Sequence, residues 1–226
     1  MSEPIITKDF LDLTFYFNAT PTIEALIHEI FADNYHVFRD KLQFSPGDVI
    51  IDAGANEGVF SIFMAKMFPK IHVISLEPVH RTFFQMIRNI GLNGVTNITA
   101  LNVGVGAPGV NSVDMVVSKV YSGGSSSVCN FNPKDHVKIP VTIVPLDNII
   151  VTHAKDGRIR LLKIDIEGSE YEAIYNCRTL NMVDYVVGEF HTNSRLRSQG
   201  FEMERLAAWV REHSTMPYYE QCRMSE

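Results

Sequence analysis

Four places along the chain carry residue types that can do chemistry. In VIIDAGANEGVFSIFMAKMF, residues 49 to 68, Asp52, Gly54, Ala55, Asn56 and Gly58 crowd one corner. Glu77 ends the apolar run IHVISLEP, and Asp165 follows another, LLKID. Further on, VVGEFH sets Glu189 and His191 two apart, on the same side of an extended strand. Glycines let a ligand approach the backbone, acids accept hydrogen bonds or hold a cation, and a carboxylate beside an imidazole can move a proton. The chemistry suggested is a binding corner flanked by acid–base groups.

The acids discriminate between ligands for the corner. A dinucleotide site wants G-x-G-x-x-G, so that pyrophosphate rests on a helix N-terminus. With Gly54 as the second glycine, Asp52 and Glu57 stand where the other two belong, and both would repel a phosphate. S-adenosylmethionine carries no phosphate, and its sulfonium and ammonium cations suit a corner flanked by carboxylates. Glu77, about twenty residues beyond the glycines, is placed to accept hydrogen bonds from ribose hydroxyls. Plainer roles exist for both acids: Glu77-Pro78 also suits a helix start, and Asp52 also suits a turn that caps backbone amides.

Period-2 and period-3.6 patterns supply the elements that must position these groups. Val49, Ile50 and Ile51 read as a strand buried on both faces, and residues 59 to 68 as a helix closed by Pro69. Strand candidates fall at 49–52, 71–76, 97–103, 159–166 and 183–190, with helical patterns at 57–68, 79–92, 168–177 and 196–213. That alternation predicts an α/β fold with a doubly wound, mostly parallel sheet and helices on both faces. Its ligands belong at the carboxyl edge of the strands.

Residues 22 to 38 carry a helical apolar stripe, so a helical cap region is expected over 1–45, preceding a Rossmann-like domain over 46–226. Between the third strand and Arg158 the rhythm breaks. Two β-like runs, Val113–Val117 and Lys138–Val144, are joined by the Ser-, Gly- and Asn-rich segment 118–136 and followed by a short turn at PLDNII. This insertion, near 112–144, is read as a substrate loop.

Composition bounds the partners. With 226 residues, 46% hydrophobic and 20% charged, the chain suits one well-buried domain. A net charge of −6 gives no basic surplus for a phosphate backbone, which argues against nucleic acid as the default partner. Three cysteines without C-x-x-C spacing suggest neither a disulfide framework nor a zinc site. No run of apolar residues reaches membrane-spanning length and no secretory leader pattern opens the chain, so a reducing, cytoplasmic setting is expected.

VIIDAGANEGVFS, ISLEPV, VPLDNII and above all LLKIDIEGSEYEAI resemble the FkbM family of S-adenosylmethionine-dependent methyltransferases, from about Tyr35 to about His191. The resemblance implies a class I methyltransferase sheet and methyl transfer to a hydroxyl of a sugar, glycan or natural product. It places the cofactor corner on Asp52, Gly54, Ala55, Asn56 and Gly58, the ribose acid on Glu77, and the family signature on Lys163, Asp165, Glu167, Gly168 and Glu170. Asn102 stands where many methyltransferases carry an acid near the adenine, and its amide is expected to address the adenine edge. After residue 213 little more than MPYYEQCRMSE follows, enough for one strand where the family's sheet closes with an antiparallel pair.

Methyl transfer is an in-line displacement dominated by positioning, with a base useful where a hydroxyl must lose its proton. His191 is the natural general base by its ordinary pKa, with Glu189 beside it, and Asp165 is expected to orient the acceptor or the methionine ammonium. Asp165, Glu189 and His191 could also converge on a divalent cation, but a metal-free site is the first expectation. Two other readings stand beside the enzyme: a non-catalytic cofactor-binding or regulatory protein of the same fold, and an NAD-dependent oxidoreductase.

Overall fold

The computed structural model describes residues 5–8, 13–16, 42–119, 125–128 and 131–214. Within the region expected to be a helical cap, Ile5–Lys8 (β1) and Leu13–Tyr16 (β2) instead pair antiparallel. The helix expected over 22–38 lies outside the described residues. The expected alternation then follows: β3 (Val49–Ala53), α1 (Val59–Met67), β4 (His72–Leu76), α2 (His80–Leu92) and β5 (Ile98–Leu101). Next come β6 (Gly104–Gly106), β7 (Ser112–Ser118), β8 (His136–Pro145) and α3 (Leu146–His153). The chain continues through β9 (Ile159–Ile164), α4 (Glu170–Tyr175), β10 (Val183–Gly188), α5 (Ser194–Ser198) and α6 (Met203–His213).

Five strands form one all-parallel sheet in the order β10-β9-β3-β4-β5. All five residues of β3 are buried, because alternate side chains serve two cores. Val49, Ile51 and Ala53 pack with Leu162, Ile164 and residues of α3, α4 and α6. Ile50 packs on the other face with Leu161, Val73, the α1 residues Ile62 and Phe63, and Leu13 and Phe15 of β2. This is a Rossmann-like doubly wound sheet. The order reverses at β3, so the crevice between the carboxyl ends of β3 and β9 is its switch point.

The insertion is a second sheet of order β6-β8-β7, with β7 and β8 antiparallel from Ser112↔Thr142 to Ser118↔His136. Two sequence expectations change. PLDNII is not a short turn: Leu146, Ile149 and Ile150 bury one face of α3, the spacing a helix needs. The helix expected over 196–213 is two, because Gly200 takes φ 82 and lets Gly200 N and Phe201 N bond back to Arg197 O and Leu196 O. The turn also delivers Phe201 onto Tyr171, their ring centroids 4.9 Å apart. The closing strand expected after residue 213 lies outside the described residues. Among the described residues no helix is long and apolar enough to cross a membrane.

Candidate active site

A cleft of about 930 Å³, its mouth included, opens at the switch point. Its floor is the β3–α1 turn and the ends of β4 and β9, and the β6–β8–β7 sheet supplies an apolar wall through Val105, Met115 and Ile143. The floor turn is tight. Gly54, Asn56 and Gly58 all have positive φ, and Gly54 N and Ala55 N both donate to Leu76 O at 3.0 and 2.9 Å. A Cβ on Gly54 would stand 1.8 Å from the backbone oxygen of Asp165, so this glycine is required by the neighbouring strand itself.

Glu77 ties two turns together. Its Oε2 accepts from Asn56 N at 3.0 Å and its Oε1 from Val79 N at 2.8 Å, and the residue lines the cleft. Burial raises the Glu77 pKa to about 7, against the lowering effect of those two backbone bonds. Asn102 does not line the cleft. Its amide donates to Glu77 O at 2.8 Å and Pro78 O at 3.1 Å, and its Oδ1 meets His80 Nδ1, so its polar groups hold the turn that carries Glu77.

Asp52 also lies off the cleft, fully buried beneath the floor on the α1 side of β3. Its Oδ2 accepts from Ser61 Oγ at 2.6 Å, and its Oδ1 is 3.4 Å from Lys163 Nζ. Lys163 is the residue whose role the sequence left open. Its ammonium donates to Gly54 O at 3.2 Å and lies 3.6 Å from Asp165 Oδ2, bridging β3 to the end of β9. Burial pulls the Lys163 pKa down, but the Asp52 and Asp165 carboxylates outweigh it and hold the amine above its usual range. The K-x-D spacing was the available signal, since residues two apart on a strand share a side.

Beyond Asp165 the chain turns through Glu167, at φ 53, and Gly168 into α4. Glu170, fully buried, closes that turn by accepting from Ile166 N and Gly168 N, both at 2.9 Å. Its Oε1 also meets His191 Nδ1 at 3.1 Å. Around His191 Nε2 stand Glu189 at 3.4 Å, Glu167 at 3.5 Å and Asp165 at 3.9 Å. Burial lowers the His191 pKa, but the Glu170 carboxylate at Nδ1 and the Glu189 and Glu167 carboxylates beside Nε2 push it up to about 11. With that environment the ring holds its proton at neutral pH, which is the reverse of what a general base needs. Burial and the charges of neighbouring acids raise Asp165 and Glu167, partly offset by His191 and, for Asp165, first by Lys163.

The structure thus brings Gly54, Ala55, Asn56, Glu77 and Asp165 to the cleft, together with Lys163 and Glu167. Glu189 and His191 stand behind Asp165 and Glu167, in contact with each other but not lining the cleft. Part of the long connecting segment is placed there too. Ser126 Oγ donates to Glu167 O at 2.5 Å, Ser127 Oγ is 3.1 Å from Ser169 Oγ, and Ser125 and Ser127 line the cleft.

The lining is acidic, with Glu57, Glu77, Asp165 and Glu167 against Lys163, and Asn56 Oδ1 is a buried acceptor with no hydrogen-bond partner among the described residues. Such a lining fits a cofactor with cationic groups and a ribose, and it disfavours a pyrophosphate. The Methyltransferase FkbM domain family matches residues 52–214. Methyltransferase 1 of Beauveria bassiana is 26% identical over 84% of this chain and 86% of its own length. Methyltransferase sdnD of Sordaria araneosa is 25% identical over 90% of this chain and 92% of its own length. Among solved structures, a precorrin-6y C5,15-methyltransferase from Geobacter metallireducens is similar at 14% identity and a TM-score of 0.46, covering 92% of this chain and 77% of that one.

Proposed function

This chain belongs to the FkbM methyltransferase family and is an S-adenosylmethionine-dependent methyltransferase, and from that premise we propose that it methylates a hydroxyl of a sugar, glycan or other small natural product. The observation that carries the acceptor class is Asp165. Its side chain lines the cleft at the end of β9, with Oδ2 steadied 3.6 Å from Lys163 Nζ. A carboxylate so placed accepts a hydrogen bond from an incoming hydroxyl, aligns its oxygen and receives its proton as the methyl is transferred. The segment after β9 reads D-I-E-G, without the [DN]-P-P-[YF] run of enzymes that methylate nucleobase amines.

When bound, S-adenosylmethionine supplies the electrophilic methyl group. Glu77 accepts from the ribose hydroxyls, and the Gly54–Asn56 turn with the Asn56 side chain accepts from the ammonium end. Lys163 fixes Asp165 against the floor, and His191, anchored by Glu170, stands behind Asp165 and Glu167. The β7–β8 hairpin and the Ser125 and Ser127 side chains that line the cleft select the acceptor.

Transfer of a labelled methyl group to a panel of hydroxylated sugars and natural products tests the acceptor class. A base-stable ether product is expected, and delivery of the label only to nitrogen or carbon overturns it. Glu77→Ala should weaken cofactor binding roughly 10- to 100-fold, the loss of about 1–3 kcal/mol for hydrogen bonds to a charged group.

The raised Glu77 pKa adds a pH dependence. The native protein keeps a proton on Glu77 up to about 7, whereas its ordinary value is 4.5. Across that window the cofactor-free protein loses stability as pH rises, because the unfolded chain releases the proton first. Cofactor binding runs the other way, since the carboxylate is the better ribose acceptor. By calorimetry, affinity should fall about tenfold per pH unit below the Glu77 pKa, and Glu77→Gln should flatten the dependence. An affinity independent of pH in the parent protein removes Glu77 from the ribose site.

A further inference from the structure

The His191 side chain is 10% exposed, yet none of the carboxylates paired with its Nε2 among the described residues comes closer than 3.4 Å. The nearest acceptors are the carboxylates of Glu189, Glu167 and Asp165, at 3.4, 3.5 and 3.9 Å. These distances are long for hydrogen bonds to a ring N–H. They are ordinary for atoms that share a cation: ligands about 2.1 Å from one ion lie roughly 3 Å apart when adjacent and about 4 Å apart when opposed. One ligand atom each from Asp165, Glu167 and His191 already fall within 4.8 Å of one another.

Two further observations point the same way. Asp165 Oδ1, the oxygen that faces Nε2, is buried without a hydrogen-bond partner among the described residues, while Oδ2 is turned toward Lys163. The other ring nitrogen is anchored: Nδ1 meets fully buried Glu170 at 3.1 Å, and Glu170 is held in turn by Ile166 N and Gly168 N. A carboxylate fixing one imidazole nitrogen so that the other faces ligands is the arrangement that supports a metal-bound histidine.

We propose that Asp165, Glu167 and His191 form a binding site for one divalent cation of the Mn²⁺ class, with Glu189 at its edge and Glu170 orienting the histidine. One imidazole among carboxylates suits Mn²⁺ better than Mg²⁺, which prefers oxygen alone, or Zn²⁺, which favours more nitrogen or sulfur. The ion takes the place of the Nε2 proton. It borders the cleft, because Asp165 and Glu167 line it, and it would polarise an acceptor hydroxyl brought there. The site deepens the methyltransferase reading, but its test uses neither cofactor nor acceptor, so either can fail alone.

The test is a titration of the full chain with Mn²⁺ alone, followed by electron paramagnetic resonance. One ion per chain should leave the free signal, and the bound spectrum should carry nitrogen modulation from a single imidazole. Glu167→Gln and His191→Ala should each weaken Mn²⁺ binding by at least about tenfold. Mn²⁺ should raise the thermal midpoint of the parent protein and not of these variants. A free signal undiminished to millimolar Mn²⁺ overturns the proposal. So does a bound ion without nitrogen modulation, which needs no variant to fold.

Discussion

Gly54→Val should remove cofactor binding and destabilise the fold by at least about 3 kcal/mol, because two effects act at one atom. The backbone there sits at φ 82, which a β-branched residue hardly adopts, and an added Cβ would stand 1.8 Å from the Asp165 backbone oxygen. That oxygen belongs to the end of a buried parallel strand, so the β3–α1 turn must move instead. Movement of the turn breaks the Asn56 N to Glu77 bond and the Lys163 bond to Gly54 O, which together shape the cofactor floor. Gly109 is the control. It has φ 85 and nothing within 4 Å of an added Cβ, so Gly109→Ala should cost only the backbone strain, about 1 kcal/mol. Urea unfolding of Gly54→Ala and Gly109→Ala separates the two contributions, and equal losses would show that the Asp165 contact is relieved at no cost.

Lys163→Met should cost about 3–5 kcal/mol, the penalty for stranding a buried charge without its partner. Asp52 is fully buried, and its Oδ1 has Lys163 Nζ at 3.4 Å, while Ser61 serves only the other oxygen. Side chains of similar length fill the same space, so lost packing is a small part of the effect. Adding Asp52→Asn should restore much of the stability, since the pair then leaves no unmatched charge. Denaturant midpoints of the two single variants and the double variant give the coupling directly. Strict additivity would mean that Lys163 and Asp52 do not act as a pair.

What the residue order determined by itself is periodic and local. Apolar runs of strand length alternating with helical stripes specify a doubly wound sheet, because burying a strand on both faces demands helices above and below it. The placement of the Gly54–Asn56 turn, Glu77 and Asp165 at the cleft was legible in the same way, each following a strand whose end must lie at the ligand edge, whereas the role of Lys163 was not. Helix breaks were less legible: Gly200 is one residue inside an otherwise helical pattern, and the docking of Phe201 on Tyr171 makes its left-handed turn worthwhile.

Only the tertiary structure decided which acid does what. Asp52, Glu77, Asp165, Glu167, Glu170 and Glu189 are all simply acids in the sequence, and position along it cannot tell which are matched by a cation. Folding places Lys163 over Asp52, which turns an expected ligand into a buried support, and occupies the Asn102 amide with the Glu77 turn. It also surrounds His191 with Glu170, Glu189, Glu167 and Asp165, so a residue expected to take a proton holds one instead. Charge–charge energies depend on distance and burial rather than on spacing along the chain, and both are set when β3, β9 and β10 come side by side.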